Sequence, residues 1–483
     1  MAEQQTGFKQ SLGLVDATML VAGSMIGSGI FIVSADITRN VGSAGWLIAV
    51  WLITGFMTVT AAVSYGELSG MYPKAGGQYV YLKEAFNPLA GFLYGWSFFA
   101  VIQTATIAAV GVAFARYTAY LIPAVGESNI IWGIQNGVNE AGKATYSFSI
   151  SAAQLLSMAV IIFLTYSNSK GIKGGKIIQT TFTTAKLLAL FGLIILGFLL
   201  ANHSYWSENW QSGFNATHLQ KDGSWLGIGG TALIGAIAAA MAGSIFSSDA
   251  WNNVTFIAGE IKNPKRNIGL SLFLGTLIVT IIYVCANLMY INVMPLEGIA
   301  HAENDRVAAV AAESLFGTNI GPYVIAVLIM VSTFGCNNGL ILAGGRVYYT
   351  MANDGLFFRK AGDLNKNAVP EWAMWAQCIV ACLLCLSGRY GDLLDMISFV
   401  VVLFYALTII GIFILRKKRP DIERPYKAFG YPVLPAIYII LAITFCVFLI
   451  IMKPTYAGIG LAIVLAGIPL YFVAVSRRKS QNQ

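Results

Sequence analysis

Charged side chains are scarce in this chain. Asp, Glu, Lys and Arg together make up 11% of its 483 residues, whereas 57% of the residues are hydrophobic. A soluble domain carries about 25% charged residues, because water must solvate most of its surface. The composition therefore excludes a soluble protein and predicts an integral membrane protein that lies in the lipid bilayer.

Residues that commonly bind metals or perform catalysis are also few. The three histidines, His203, His218 and His301, fall in predicted loops and form no cluster in the sequence. All six cysteines lie in apolar segments. Cys382 and Cys385 share one such segment, where small buried residues are expected rather than a metal or redox site. We therefore expect no catalytic residue, no metal and no cofactor, which argues against a membrane enzyme.

Long apolar runs determine the predicted architecture. Twelve of them are about as long as a helix that crosses a bilayer. The polar segment 1–10 that precedes them lacks the features of a signal peptide. We predict an all-α integral membrane protein with twelve transmembrane helices. The runs cover 14–38, 44–66, 88–121, 151–167, 177–201, 226–258, 268–293, 321–349, 371–387, 393–415, 432–452 and 455–475.

The basic residues predict the orientation of the chain. Most of the 30 Lys and Arg residues fall in loops on the side of the N-terminus, including the run Arg416 to Arg419. Cytoplasmic loops are rich in Lys and Arg, so we expect both termini of this cell-membrane protein to be cytoplasmic. The net charge of +8 reflects this orientation. Because the basic residues are scattered over separate loops, nucleic acid is not expected as a partner.

The first apolar run contains a stretch that opposes helix formation. Gly23 to Gly29 reads GSMIGSG, and each glycine in a helix costs about 1 kcal/mol relative to alanine. A broken helix in a bilayer is tolerated where its bare backbone groups line a cavity or bind a ligand. The carbonyl end of the first half suits a cation and the N–H end of the second suits an anion, so a zwitterion fits both. The alternative is a close helix–helix contact of small residues.

The sixth apolar run is interrupted as well. Ser224 to Ile245 is apolar, but Phe246 to Asn253, FSSDAWNN, places a polar cluster at mid-membrane depth. The start of this helix is an odd number of spans from the start of the first, so the two halves have opposite orientations. Interrupted helices at corresponding positions of two inverted halves are typical of a transporter's binding site. The second break therefore favours a binding site over a simple helix contact.

Lys186 is the only Lys or Arg that lies well inside an apolar run. It follows Lys176 by about three helical turns, roughly 15 Å, which is too far for its ammonium to reach the membrane surface comfortably. A lysine at this depth costs several kcal/mol unless it is paired, neutral or near water. We therefore expect Lys186 to have a functional role.

Several motifs resemble the amino acid–polyamine–organocation transporters. GSMIGSGIF at 23–31 and the loop YGELSGMYPKAGGQYVY at 65–81 match this superfamily. Further segments resemble its L-type amino acid transporter branch and the bacterial relatives of that branch. The likeness extends from about residue 11 to residue 440. The further segments are TTAKLLAL at 183–190, WNNVTFIAGEIKNPKRNIG at 251–269 and VSTFGCNNG at 331–339.

This resemblance implies the fold of the sodium-coupled leucine transporter. That fold has a core of two inverted five-helix repeats, to which this branch adds two helices. A tail at 1–10 would precede a first repeat at 11–201, helices 1–5, and a second at 226–415, helices 6–10. Helices 11 and 12 would occupy 430–476, followed by a tail at 477–483.

The resemblance also implies a substrate site at the two breaks. N–H groups and the serine hydroxyl of the first break would bind the carboxylate of an amino acid. Carbonyl groups near Met25, Ile26 and the second break would bind its ammonium, and Phe246 matches the aromatic gate on the outer side. The expected substrate-binding residues are Ser24, Met25, Ile26, Gly27, Ser28 and Gly29, with Phe246, Ser247 and Asp249 in the second break.

Lys186 matches the lysine of sodium-independent members. Its ammonium is expected between the first and eighth helices, where sodium-coupled relatives hold a cation, with Ser332 or Thr333 as its partner. We therefore predict transport without sodium. Substrate exchange and proton coupling through Lys186 both remain open, because a buried lysine changes its protonation state readily.

Asp249 stands where the animal L-type members have a glycine. Its carboxylate could favour cationic substrates or could cap the second half-helix. We expect the cap, because Asp is a preferred N-cap residue.

The sequence thus predicts a sodium-independent amino acid transporter that carries neutral L-amino acids by alternating access. The alternatives are a carrier of cationic amino acids or polyamines, and a receptor that senses amino acids without moving them. Animal L-type members bind a glycoprotein heavy chain through an outside cysteine. The loop 123–149 contains no cysteine, so we expect no disulfide-linked heavy chain here.

Overall fold

The computed structural model describes residues 8–481 except 9, 139–143, 202, 318–320 and 388–389. The described chain is mostly helical, and ten of its helices are long and apolar enough to cross a membrane. Shorter apolar helices at Leu14–Met25 and Glu371–Ser387 occupy the positions of the first and ninth predicted spans. The prediction of an all-α membrane protein with twelve spans is confirmed.

The part of the chain before residue 202 contains the first five spans and one hairpin. A π-helical turn at Phe98–Ile102 joins two of its helices into the single span Pro88–Leu121. The helices are α1 (Leu14–Met25), α2 (Ser34–Val41), α3 (Ala44–Met71), α4 (Gln78–Ala85), α5 (Pro88–Ser97), α6 (Gln103–Leu121), α7 (Ala152–Ser169) and α8 (Ile172–Leu199). Strands β1 (Ile130–Val138) and β2 (Ala144–Ser151) pair antiparallel in the loop after α6.

The remainder of the chain contains the other seven spans. A second, short antiparallel hairpin, β3 (Thr217–Leu219) and β4 (Trp225–Gly227), follows α9. The helices are α9 (Trp206–Gln211), α10 (Gly230–Ser247), α11 (Asn253–Phe256), α12 (Pro264–Val293), α13 (Leu296–Ala300), α14 (Val307–Phe316), α15 (Gly321–Asn353), α16 (Glu371–Ser387), α17 (Tyr390–Lys418), α18 (Val433–Met452) and α19 (Pro454–Gln481).

Local sequence explains where several helices begin. Asn87 precedes Pro88 at the start of α5, and its side-chain oxygen accepts from the N–H of Ala90 at 2.9 Å. At the start of α7, Ser151 and Gln154 form a capping box in which each side chain accepts from the other's backbone N–H. Such caps satisfy the first N–H groups of a helix, which have no partner inside it.

The two hairpins were not predicted from the sequence, although β2 does alternate apolar and polar residues, with Tyr146, Phe148 and Ile150 between Thr and Ser. The polar segment after α12 folds into the two short helices α13 and α14. Val307, Ala308 and Ala311 of α14 are buried, and this helix packs on α15.

Helices α3 and α12 pack together more extensively than any other helix pair in the described chain. Glycines permit the approach, because a Cβ atom on Gly269 would lie only 3.3 Å from the Cα atom of Gly66. A Cβ atom on Gly55 would lie 2.2 Å from the Thr280 side chain. Small residues let two helix backbones approach closely where lipid supplies no hydrophobic driving force between helices.

A buried ion pair joins α15 to the segment that precedes α12. The Nε atom of Arg346 lies 2.9 Å from Oε1 of Glu260, and both residues are almost fully buried. The carbonyl of Glu260 accepts from the N–H groups of Ser11 and Leu12, at 2.9 and 3.1 Å. The chain just before α1 is therefore fastened to the end of the second interrupted helix.

Replacing Glu260 with Ala should destabilise the protein by about 3–5 kcal/mol, because it leaves the Arg346 guanidinium buried and unpaired. A matched control is Glu423→Ala, which removes the exposed Lys265–Glu423 pair and should cost at most about 1 kcal/mol. Melting temperatures of the purified variants in detergent would test this. Equal losses in the two variants would contradict the role of the buried pair.

Candidate functional site

The first predicted break lies between α1 and α2. Helix α1 ends at Met25, Ile26 is extended, and the N–H of Gly27 turns back to the Met25 carbonyl at 2.8 Å. Gly29–Phe31 then form a single 3-10 turn before α2 begins at Ser34. The predicted interruption is therefore present, and all residues from Ser24 to Gly29 are buried.

The Lys186 ammonium occupies the carbonyl end of α1. Its Nζ atom donates to the carbonyl oxygens of Gly23 at 2.5 Å, Ile26 at 2.7 Å and Ser332 at 3.3 Å. The side chain is 1% exposed. An ammonium has three N–H donors, so this set of acceptors matches it in number. The negative end of the helix dipole favours a cation at this position.

Ser332 is the partner of Lys186, and Thr333 is not. The Ser332 carbonyl accepts from Lys186, while its hydroxyl donates to the Ile26 carbonyl at 3.1 Å. The Thr333 hydroxyl instead donates within its own helix, to the Ile329 carbonyl at 2.8 Å. Of the two expected partners on the eighth span, Ser332 therefore contacts Lys186 and Thr333 does not. The coupling role of Lys186 and Ser332 stays a prediction.

These contacts involve part of the predicted substrate site. The Ile26 carbonyl accepts from Lys186 at 2.7 Å, and the Ser332 hydroxyl, which has one hydrogen to donate, lies 3.1 Å from the Ile26 carbonyl and 3.3 Å from the Gly27 carbonyl. A substrate ammonium would therefore compete with Lys186 for the Ile26 carbonyl. The Ser24 carbonyl accepts from the Cys336 thiol at 3.0 Å, and the Ser24 hydroxyl is buried without a protein partner among the described residues.

The second predicted break lies between α10 and α11. Helix α10 ends at Ser247, the N–H of Asp249 turns back to the Phe246 carbonyl at 3.2 Å, and Ala250 has a left-handed φ of 65°. A left-handed non-glycine residue costs energy and needs its surroundings to hold it in place. Phe246, Ser247 and Asp249 are all buried here.

The two breaks touch each other. A Cβ atom on Gly29 would lie 1.9 Å from the Ser247 hydroxyl oxygen, so only glycine fits there. The Tyr283 hydroxyl oxygen, from α12, lies 3.1 Å from the Met25 carbonyl and 3.0 Å from the Ser247 carbonyl. Sequence reasoning missed Tyr283, although a tyrosine within an apolar span was a signal that could have found it.

Asp249 does not cap the second half-helix. Helix α11 begins after Asn252, with no side-chain bond at its N-cap, so that expectation was wrong. The Asp249 carboxylate instead accepts from the Tyr405 hydroxyl of α17 at 2.6 Å. It also lines two cavities of about 10 and 20 Å³, each about large enough to hold one water molecule. Asp249 therefore contacts Tyr405 of another helix instead of capping α11.

A polar network connects the second break to the rest of the bundle. The Asn252 amide donates to the Gln78 side-chain oxygen at 2.9 Å, and the Gln78 amide donates to the Thr408 hydroxyl at 3.0 Å. Gln78 lies in the loop motif that the sequence singled out. Among the described residues, no group of His, Cys, Asp and Glu is placed to hold a metal ion.

The chain is similar to known transport proteins over nearly its whole length. The amino acid permease family matches residues 12–474. The large neutral amino acids transporter small subunit 2 of Homo sapiens is 31% identical over 471 residues, covering 97% of this chain and 81% of that protein. The Asc-type amino acid transporter 1 of Mus musculus is 28% identical over 475 residues, with 98% and 83% covered. The b(0,+)-type amino acid transporter 1 of Mus musculus is 27% identical over 476 residues, with 97% and 89% covered.

These matches confirm the resemblance inferred from the motifs at 23–31 and 65–81. They also agree with the expectation of a transport protein rather than an enzyme, because a permease moves a solute without converting it. The family match begins just before α1 and ends within α19, so it includes both breaks and Lys186. The chain belongs to the amino acid permease family.

Proposed function

We propose that this protein transports neutral amino acids across the membrane without sodium, by alternating access around the two breaks. The similar proteins are named as amino acid transporters, and one is named for large neutral amino acids. Transport without sodium is supported by the position of the Lys186 Nζ atom, which lies 2.5 and 2.7 Å from the carbonyl oxygens of Gly23 and Ile26. A sodium ion would need such oxygens, and the ammonium would repel it.

The substrate would lie between the breaks with its two charges separated. The carboxylate would face the start of the 3-10 turn at Gly29, where the backbone dipoles favour an anion, because the Gly27 N–H already donates to the Met25 carbonyl. The ammonium would face the second break, at Phe246, Ser247 and Asp249, because the Ile26 carbonyl already accepts from Lys186. Phe246 would close the site on its outer side.

The same proposal includes the arrangement of the chain. The two breaks would belong to inverted repeats at 11–201 and 226–415, with 430–476 as two added helices. Both termini would be cytoplasmic in a cell membrane, as the basic loops favour. The loop 123–149 contains no cysteine, so the protein would work without a disulfide-linked heavy chain.

Uptake of labelled leucine or alanine into proteoliposomes tests the function directly. We expect accumulation without sodium, and the assay should be repeated with an inward proton gradient and with unlabelled amino acid inside. Uptake that needs internal substrate would indicate an exchanger, whereas gradient-driven uptake into empty vesicles would indicate proton coupling. Strict sodium dependence would contradict the proposed role of Lys186. Binding of amino acid without accumulation would indicate a sensor.

Replacing Lys186 with Ala should lower uptake about 100-fold, because a 1 Å displacement of a positioned backbone can have an effect of this size. The carbonyls of Gly23 and Ile26 would lose their shared donor, so the break would change shape. Lys74→Ala, at an exposed loop lysine, is the matched control and should retain uptake. Full uptake by the monodisperse Lys186→Ala protein would rule out the proposed role.

The Asp249→Asn variant tests whether the protein transports neutral or cationic substrates. Asn keeps the shape and an acceptor for Tyr405, so neutral uptake should change by less than about tenfold. Asp222→Asn, at an exposed carboxylate, is the control. The buried Asp249 carboxylate beside a water-sized cavity is what favours a cationic alternative. That alternative would be correct if the unaltered protein accumulated arginine or a polyamine and Asp249→Asn lost only this uptake.

A further inference from the structure

A larger cavity lies at the N-terminal end of α12 and is lined by none of the residues of the two breaks. It has a volume of about 660 Å³. Its walls come from α3, from the first turns of α12 and from the connection between α17 and α18. Its lining includes Lys265, Arg266, Leu270, Phe273, Tyr426 and Phe429. We call this cavity the α3–α12 groove.

The groove is built into the fold. Its floor is the close crossing of Gly66 and Gly269, and a Cβ atom on Gly66 would lie 3.0 Å from the Tyr426 ring. The connection that forms the far wall is held by Glu67, which accepts from the Ala428 N–H at 2.7 Å and pairs with Arg416 at 2.6 Å. The wall is therefore fastened to α3 by a buried carboxylate.

Most of the groove surface is apolar and accessible. Phe429 is 72% exposed and Phe273 is 37% exposed, although both are large hydrophobic side chains. Arg266, Leu270 and Phe273 are spaced by four and three residues, so they lie on one face of α12. Seven residues of α-helix span about 10 Å. The groove therefore runs from the basic side chain of Arg266, at the start of α12, to the aromatic ring of Phe273, about two helical turns further along.

The charges at the open end are mainly positive. Among the described residues, Arg266 is exposed and has no ionic partner, while Lys265 pairs with Glu423 at 2.7 Å. Lys262 and Lys427 are exposed beside the same lining residues. The N-terminal dipole of α12, a 30-residue helix, adds to this positive field. The open end therefore suits an anionic group.

We propose that the α3–α12 groove binds an anionic phospholipid, with its phosphate near Arg266 and an acyl chain along Leu270 and Phe273. An anionic head joined to a long apolar tail complements both ends of the groove. A second copy of the chain fits less well. A symmetric contact would place this patch against itself and bring the basic groups of both copies together.

Native mass spectrometry of the purified protein with an equimolar mixture of phosphatidylglycerol and phosphatidylcholine tests this proposal. The unaltered protein should retain phosphatidylglycerol preferentially, and Arg266→Gln should retain it about fivefold less, as expected for one basic residue at a charged membrane surface. Leu270→Trp should also reduce retention by filling the apolar part without changing charge. Lys417→Gln, at an exposed lysine that does not line the groove, is the matched control.

Three results would overturn the proposal. Equal retention of the two lipids would indicate ordinary surrounding lipid, and equal losses in Arg266→Gln and Lys417→Gln would indicate a general charge effect. A dimer that dissociates in Leu270→Trp would assign the groove to a second copy. None of these measurements uses amino acid uptake, so their outcome is independent of the proposed transport function.

Discussion

The contact between the Lys186 ammonium and the carbonyl end of α1 is the interaction on which the centre of the protein depends. In a bilayer, the bare carbonyls of a broken helix and an unpaired ammonium are each costly. The Lys186 Nζ atom lies 2.5 and 2.7 Å from the carbonyl oxygens of Gly23 and Ile26, so the ammonium and the carbonyls satisfy each other's hydrogen bonding. Because Lys186 belongs to α8 and its third acceptor belongs to α15, the same group holds three helices at the break.

The second break depends on the first through close contacts rather than through charge. Gly29 leaves room for Ser247, and the Tyr283 hydroxyl lies within hydrogen-bond distance of the Met25 and Ser247 carbonyls. A motion that separates α1 from α10 must therefore break at least one of the two Tyr283 contacts. Lys186 would keep its carbonyl partners only if α1 moved together with α8 and α15. These constraints limit which helices can form a moving unit.

Away from the centre, buried ion pairs hold the chain near the start of α12 and the end of α17. Glu260 and Glu67 are buried there and hold Arg346 and Arg416, which ties the segment before α1 and the connection after α17 to the bundle. Exposed basic residues, Arg266 among them, lie at the open end of the α3–α12 groove. Buried pairs thus fix the helix ends, while unpaired cations remain available to the membrane surface.

The sequence by itself determined the membrane class, the spans, both breaks and the depth of Lys186, because each depends on local composition and spacing. Motifs such as GSMIGSGIF at 23–31 also identified the family. It could not determine which atoms meet across helices. The use of the Ile26 carbonyl by Lys186, the Ser332 carbonyl as a third acceptor, and the Asp249 contact with Tyr405 join residues more than a hundred positions apart. Only the tertiary structure decided these contacts, because helix packing and not local spacing sets which side chains and carbonyls come within hydrogen-bond distance.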